Sequence, residues 1–357
     1  METHSSSERP RWLFSRRADF WLASGGASLG LLAAALVILW HGDWELSWLD
    51  FVLAELHLGA TYGAIIRRRI WRRRPVDVLI VPLVILALTY ALTMTDQMIL
   101  LTSIAMYAAV WHRGRQSLGV ACFYQGGMGG PVSRAHNFLF RGAIYLPMLA
   151  GVLTYTHLAP TEYEGEPYLA LALGRQMTWL VAVAAVVWVV AYLAWTFWRN
   201  RSERVLSSPQ NVGGRVHPGE WWVVLANAVA LGSGYTLGAS NGAFLMALGV
   251  HHEVQYLSFT YAMARRPRSF PAESKTGADL AITDLDAKAS YREGSAFRTG
   301  VEHGSSFLVW PVIGFAGAVV GGWVELEWLA PLGMGGLLCH YWFDSRIWTS
   351  GRGAVPG

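Results

Sequence analysis

The sequence predicts an all-α, polytopic transmembrane helix bundle of about ten spans with both termini cytoplasmic, and three observations predict it. Of 357 residues, 53% are hydrophobic and only 15% are charged, with a mean hydropathy of +0.31. Average soluble domains carry roughly 25% charged residues. A chain this poor in charge cannot cover one soluble core, which excludes an ordinary cytosolic enzyme, a disordered chain and a nucleic-acid binder. The second observation is a series of apolar runs near the length a spanning helix needs, about 20 residues. The third is the segregation of charge between those runs.

The runs fall in order at 20–41, 48–66, 77–95, 98–123, 135–156, 175–198, 219–238, 240–264, 304–324 and 329–348. The first follows Arg9, Arg11, Arg16 and Arg17 and lacks a small-residue cleavage site, so it reads as a span rather than a removable leader. The second ends against Arg67, Arg68 and Arg69, and the third begins after Arg72, Arg73 and Arg74. The sixth ends at Arg199, Arg201 and Arg204, and the eighth at Arg265, Arg266 and Arg268. The loops on the other side hold Asp43, Glu45, Asp96, Glu162, Glu164, Glu166, Glu325 and Glu327. Basic loops stay on the cytoplasmic side, so this separation orients the chain and tests the span count together. An error of one span would scramble it. The 18 Trp fit the same reading, since indoles favour membrane interfaces.

The chain reads as a single transmembrane domain. Its longest connector, 265–303, carries a short amphipathic stretch from Ala278 to Tyr291 at the cytoplasmic face. Glycines crowd the seventh to tenth spans (Gly232, Gly234, Gly238, Gly314, Gly317, Gly321, Gly322, Gly333, Gly335, Gly336), as close helix packing requires. Cys122 and Cys339 form no CxxC pair and exclude a four-cysteine metal site.

Function has to be sought in the polar residues placed where they are expensive. Ionisable side chains inside membrane helices mark sites by default. Six of the eleven His lie in spans or at their ends: His57, His112, His136, His251, His252 and His340. At 1.5 Å per residue, His57 lies about 15 Å from the Arg67 cluster and His251 about 20 Å from Arg265. All six fit the layer between the midplane and the cytoplasmic face. Polar partners follow four residues on, on the same helix face: Gln116 after His112, Gln255 after His251 and Asp344 after His340. Glu55 precedes His57 by two residues, and Glu253 follows His252.

Imidazoles with carboxylates suit iron, zinc or copper. The candidate metal ligands are therefore the six His with Glu55, Gln116 and Gln255, and the candidate catalytic carboxylates are Glu253 and Asp344. Arg113 and Arg115, flanking His112, read as anchors at the inner interface or as holders of an anionic headgroup.

The segment His251-His252-Glu253-Val254-Gln255-Tyr256 departs from a zinc-protease HExxH motif at its fifth position, Tyr256, and lacks the second His pair of haem–copper oxidases. In ligand chemistry and location alone, the chain resembles integral-membrane di-iron desaturases and hydroxylases. Their HxxxH and HxxHH boxes do not occur, so the resemblance transfers no residue.

These readings combine into a multi-pass membrane enzyme with mono- or dinuclear iron, oxidising a lipidic or small apolar substrate with O₂. Its electrons come from a separate donor protein, because no flavin or nicotinamide fingerprint is present. A haem-binding electron-transfer protein, a copper site, and a transporter or proton relay without metal stay open as alternatives.

Overall fold

The computed structural model describes residues 12–26, 28, 31–32, 35–36, 44–67, 70–126, 133–163, 166–171, 173–206, 215–265 and 330–349. The fold is mostly helical, at 86%. Among the described residues eight long helices carry it: α1 (Trp44–Arg67), α2 (Val76–Met94), α3 (Met98–Gly126), α4 (Arg134–Leu158), α5 (Arg175–Leu206), α6 (Pro218–Gly238), α7 (Ala243–Arg265) and α8 (Ala330–Thr349). Each overlays one of the apolar runs. The 304–324 run, the 278–291 stretch and residues 37–41 of the first run lie outside the described residues, with gaps also at 27, 29–30 and 33–34.

Among the described residues, α2, α4 and the Arg175–Ser202 part of α5 are long and apolar enough to cross a membrane. The outer faces of α2 and α5 are apolar and exposed, with Leu83, Val84 and Leu88 on one and Val183, Val186, Val187 and Val190 on the other. Contiguous apolar surface of this kind is what lipid covers.

Chain chemistry sets the helix ends. Helix α1 runs into the Arg67 cluster, and Pro75 precedes the wider first turn of α2, Val76–Ile80. Helices α2 and α3 are joined by a tight turn with Asp96 at φ 56°, a left-handed conformation that Asp tolerates better than most residues. Ser133 caps α4, its hydroxyl accepting from the His136 amide at 3.2 Å. Outside α4, a two-residue antiparallel hairpin pairs β1 (Glu162–Tyr163) with β2 (Glu166–Pro167). The chain beyond it is tied to α3 by the Leu169 amide donating to Ser103 at 2.7 Å.

Helix α4 packs on α5 and α6, α7 on α1, and α8 on α2, α3 and α1. At Gly151 a Cβ would meet the Leu231 carbonyl at 2.3 Å, so only glycine lets α4 and α6 touch backbone to backbone there. Nearby, the Asn227 amide donates to the Ile144 carbonyl at 2.9 Å, a polar rivet across the same pair.

Helix α6 starts with an unusual cap. Buried His217 accepts the Gly219 N–H on Nδ1 at 2.9 Å, and its ring stacks on Tyr124. Burial lowers its pKa from 6.5 to about 4. Between those values the unfolded chain binds a proton that the folded chain does not. The neutral cap therefore contributes fully above about pH 6.5 and progressively less as pH falls toward 4. The melting temperature is expected to drop between pH 7.5 and pH 5. His217→Asn keeps a cap acceptor and should shrink that drop; an undiminished drop would remove His217 from its cause.

Candidate metal centre

Four helices deliver one imidazole each to a common point. His57 comes from α1, His112 from α3, His252 from α7 and His340 from α8, and all four are buried. The ring centroids of His57 stand 5.9 Å from His112, 4.9 Å from His252 and 4.5 Å from His340. His112 lies 4.9 Å from both His252 and His340.

Asp344 sits one turn beyond His340 on the same face of α8. Its Oδ2 lies 3.7 Å from His57 Nε2, 3.7 Å from His112 Nε2 and 3.8 Å from His340 Nε2. These separations are too long for hydrogen bonds. The four donor atoms, three imidazole nitrogens and one carboxylate oxygen, all lie within 4.8 Å of one another. Nitrogen and oxygen donors bound at about 2.1 Å to one ion stand about 3–4 Å apart. The group is thus slightly more open than an occupied site and closes on an ion by small side-chain movements.

The second carboxylate oxygen is used differently. Asp344 Oδ1 accepts from Thr61 Oγ1 at 2.9 Å and from Tyr256 Oη at 2.8 Å, and the two hydroxyls touch each other. This fixes the carboxylate plane and aims Oδ2 at the imidazoles. Two rings brace the imidazoles: Tyr256 stacks on His57 at 3.9 Å, and Tyr341 on His112 at 4.6 Å. Such outer contacts orient ligands and tune them.

The site has two layers. His57, His252 and His340 lie in the first; Thr61, Tyr256 and Asp344, each four residues later, lie in the second. Contacts that match in both layers require α1, α7 and α8 to run parallel. Gln116, four residues after His112, donates to the His252 carbonyl at 2.8 Å and to Gln255 Oε1 at 3.3 Å, which staples α3 to α7.

Desolvation makes the cluster costly as it stands. His57 Nε2 and His112 Nε2 are buried and have no hydrogen-bond partner among the described residues. A buried polar atom left this way costs about 1–3 kcal/mol. An ion accepting both lone pairs would remove that cost, and the donor set of neutral imidazoles and one carboxylate fits a divalent transition metal.

The other sequence candidates have different surroundings. His136 lies 2.8 Å from Glu220 Oε1, to which Tyr192 also donates at 2.7 Å, and its ring stacks on Phe140. His251 lines a neighbouring cavity. Gln116 and Gln255 bond each other across α3 and α7, and the metal-capable group of His, Cys, Asp and Glu side chains includes neither Glu253 nor Glu55. Glu253 is buried one residue beyond His252. Glu55, two residues before His57, points about 200° around the helix from it. Cys339 is buried with its thiol 3.7 Å from the Pro82 carbonyl, outside the group.

Thr61 and Tyr256 were absent from the sequence candidates. Their signal was the same i, i+4 spacing that marked Asp344: Thr61 follows His57, and Tyr256 follows His252. Glu220 was absent too, because it lies in the first turn of a helix that opens after a loop.

Fold and site together define a helical protein with membrane-length apolar helices and a buried His₃Asp group able to hold a metal ion. The chain matches no protein-family model, no curated protein and no solved structure.

Proposed function

We propose that this chain is a ten-span membrane protein with both termini cytoplasmic, and that it is a metal-dependent oxidoreductase. In this reading one iron ion is held by His57, His112, His340 and Asp344, with His252 beside it. The observation that carries the reading is the convergence of three Nε2 atoms on one carboxylate oxygen, in a buried setting where two of those nitrogens have no hydrogen-bond partner among the described residues. A single carboxylate in the group favours one ion over a carboxylate-bridged pair. Four imidazoles packed ring to ring favour a bare ion over a haem macrocycle between them. The parallel direction of α1, α7 and α8 supports the span count, since helices two, eight and ten of that count all cross the same way.

Iron bound there would supply the activation of O₂. The chain's own residues do the rest. Asp344 contributes the carboxylate of the group, Thr61 and Tyr256 hold its orientation, and the surrounding helices exclude water so that the oxidising power is spent on substrate. Oxidation of a C–H bond to an alcohol by O₂ consumes two electrons and two protons and releases water. The electrons come from a separate donor protein.

Elemental analysis of the gently purified protein, with a visible spectrum, tests this. The expected result is about one iron per chain and no Soret band. A Soret band, or no transition metal in a stably folded preparation, would overturn it.

A further inference from the structure

The connection between α1 and α2 is strongly basic, and it meets an exposed apolar stripe at one end of a membrane-length helix. Residues 67–80 hold six Arg (Arg67, Arg68, Arg69, Arg72, Arg73 and Arg74) and a single carboxylate, Asp77. At the other end of α2, residues 95–97 carry Asp96 and no base. The two ends of one apolar helix therefore differ sharply in charge.

Helix α8 covers one side of α2. Trp342 Nε1 donates to the Asp77 carbonyl at 2.9 Å, and the Cys339 thiol lies 3.7 Å from the Pro82 carbonyl. A Cβ at Gly335 would stand 2.7 Å from the Leu86 side chain. These contacts set the rotation of α2 and leave Val76, Ile80 and Leu83 exposed. Spaced by four and three residues, those side chains form one stripe along the helix. The stripe runs up to the basic connection. There Trp71 is exposed, and the Arg72 guanidinium stands 4.8 Å from the centre of its ring. Arg74 is exposed as well, 3.9 Å from Asp77.

Guanidinium groups, an exposed indole and an apolar stripe follow one another in the order of phosphate, interface and acyl chain in a phospholipid. An acidic soluble protein would answer the Arg side chains and leave the indole and the stripe uncovered. We infer that the 67–75 connection binds the headgroup phosphates of anionic phospholipids, with their acyl chains along the Val76, Ile80 and Leu83 stripe. The planar guanidinium fork matches phosphate oxygens, and Trp71 seats the connection at headgroup level. The inference needs α2 in a bilayer and is independent of the metal centre.

Charge that only orients a chain during insertion gives no preference for one lipid afterwards, so the test reads that preference. The full-length protein is equilibrated in detergent micelles holding equal amounts of phosphatidylglycerol and phosphatidylcholine with the same acyl chains. The lipids retained per chain are then counted by mass spectrometry. Phosphatidylglycerol is expected to exceed phosphatidylcholine by about fivefold or more. Arg72→Gln with Arg74→Gln removes two exposed charges from the connection and should lower that ratio by about threefold or more. Arg16→Gln with Arg17→Gln removes two exposed charges elsewhere and should leave the ratio near its native value. Millimolar glycerol phosphate, set against sodium chloride of equal ionic strength, should displace no lipid. Equal retention of the two lipids by the native chain would overturn the inference, whether or not the variants fold, and would leave the Arg cluster to orientation or to an acidic protein. An undiminished ratio in a folded Arg72→Gln, Arg74→Gln protein would overturn it too. So would an equal fall in both double variants, the mark of diffuse charge, and so would displacement by glycerol phosphate, the mark of a site for soluble phosphates.

Discussion

Asp344→Asn is expected to leave a folded protein that holds less than a tenth of the native metal. The substitution keeps the shape of the side chain and removes its charge. One oxygen can still accept from Thr61 and Tyr256, the contacts that tie α8 to α1 and α7. What disappears is the anionic Oδ2 that three imidazoles surround at 3.7–3.8 Å. An amide nitrogen placed there offers the imidazoles hydrogens instead of offering an ion a lone pair. A dication in a desolvated site without the carboxylate of its donor group loses several kcal/mol, and each 1.4 kcal/mol is tenfold in occupancy. Metal per chain by elemental analysis, read beside the thermal melt, checks this. Native metal content in the variant would show that Asp344 is not a ligand.

Glu220→Ala is expected to produce the largest loss of stability. Glu220 is buried in the first turn of α6, where the helix N-terminus favours its charge. It binds His136 of α4 at 2.8 Å and Tyr192 of α5 at 2.7 Å, so one carboxylate joins three helices. Removing it takes the acceptor from a buried imidazole and a buried phenol, and each such buried polar group left short of a partner costs about 1–3 kcal/mol. Glu220→Gln keeps an acceptor for Tyr192 and should cost about 1–2 kcal/mol. The melting temperatures of the two variants in one detergent should therefore separate clearly. Metal content per folded chain should stay native in both, since His136 and Glu220 belong to a different cluster from Asp344.

Much of this architecture was legible in the residues. Eight apolar runs coincide with helices to within a few residues at most ends, because length and hydropathy are properties of a single segment. The departures fall where a helix outlasts its apolar stretch: α5 continues to Leu206 through Arg199, Arg201 and Arg204. Four of the six histidines converge, and Asp344 joins them, because i, i+4 spacing fixes a shared face. What depth along a helix cannot reveal is azimuth. His136 lies at a plausible depth yet faces Glu220, and His251 differs from its neighbour His252 by the 100° that separates adjacent residues. Which helices touch is a tertiary property, so the pairing of Gln116 with Gln255 rather than with an imidazole was not to be read from either segment alone.

The order in which the donors occur along the chain has a consequence for biosynthesis. Residues 57, 112 and 252 enter the bundle early and bring imidazoles only. The carboxylate and the remaining imidazole arrive together on α8, residues 330–349. A nascent chain halted before that helix lacks both His340 and Asp344, two of the four donors of the group. The donor group is therefore completed only by the last described helix in the chain, whatever order the helices pack in.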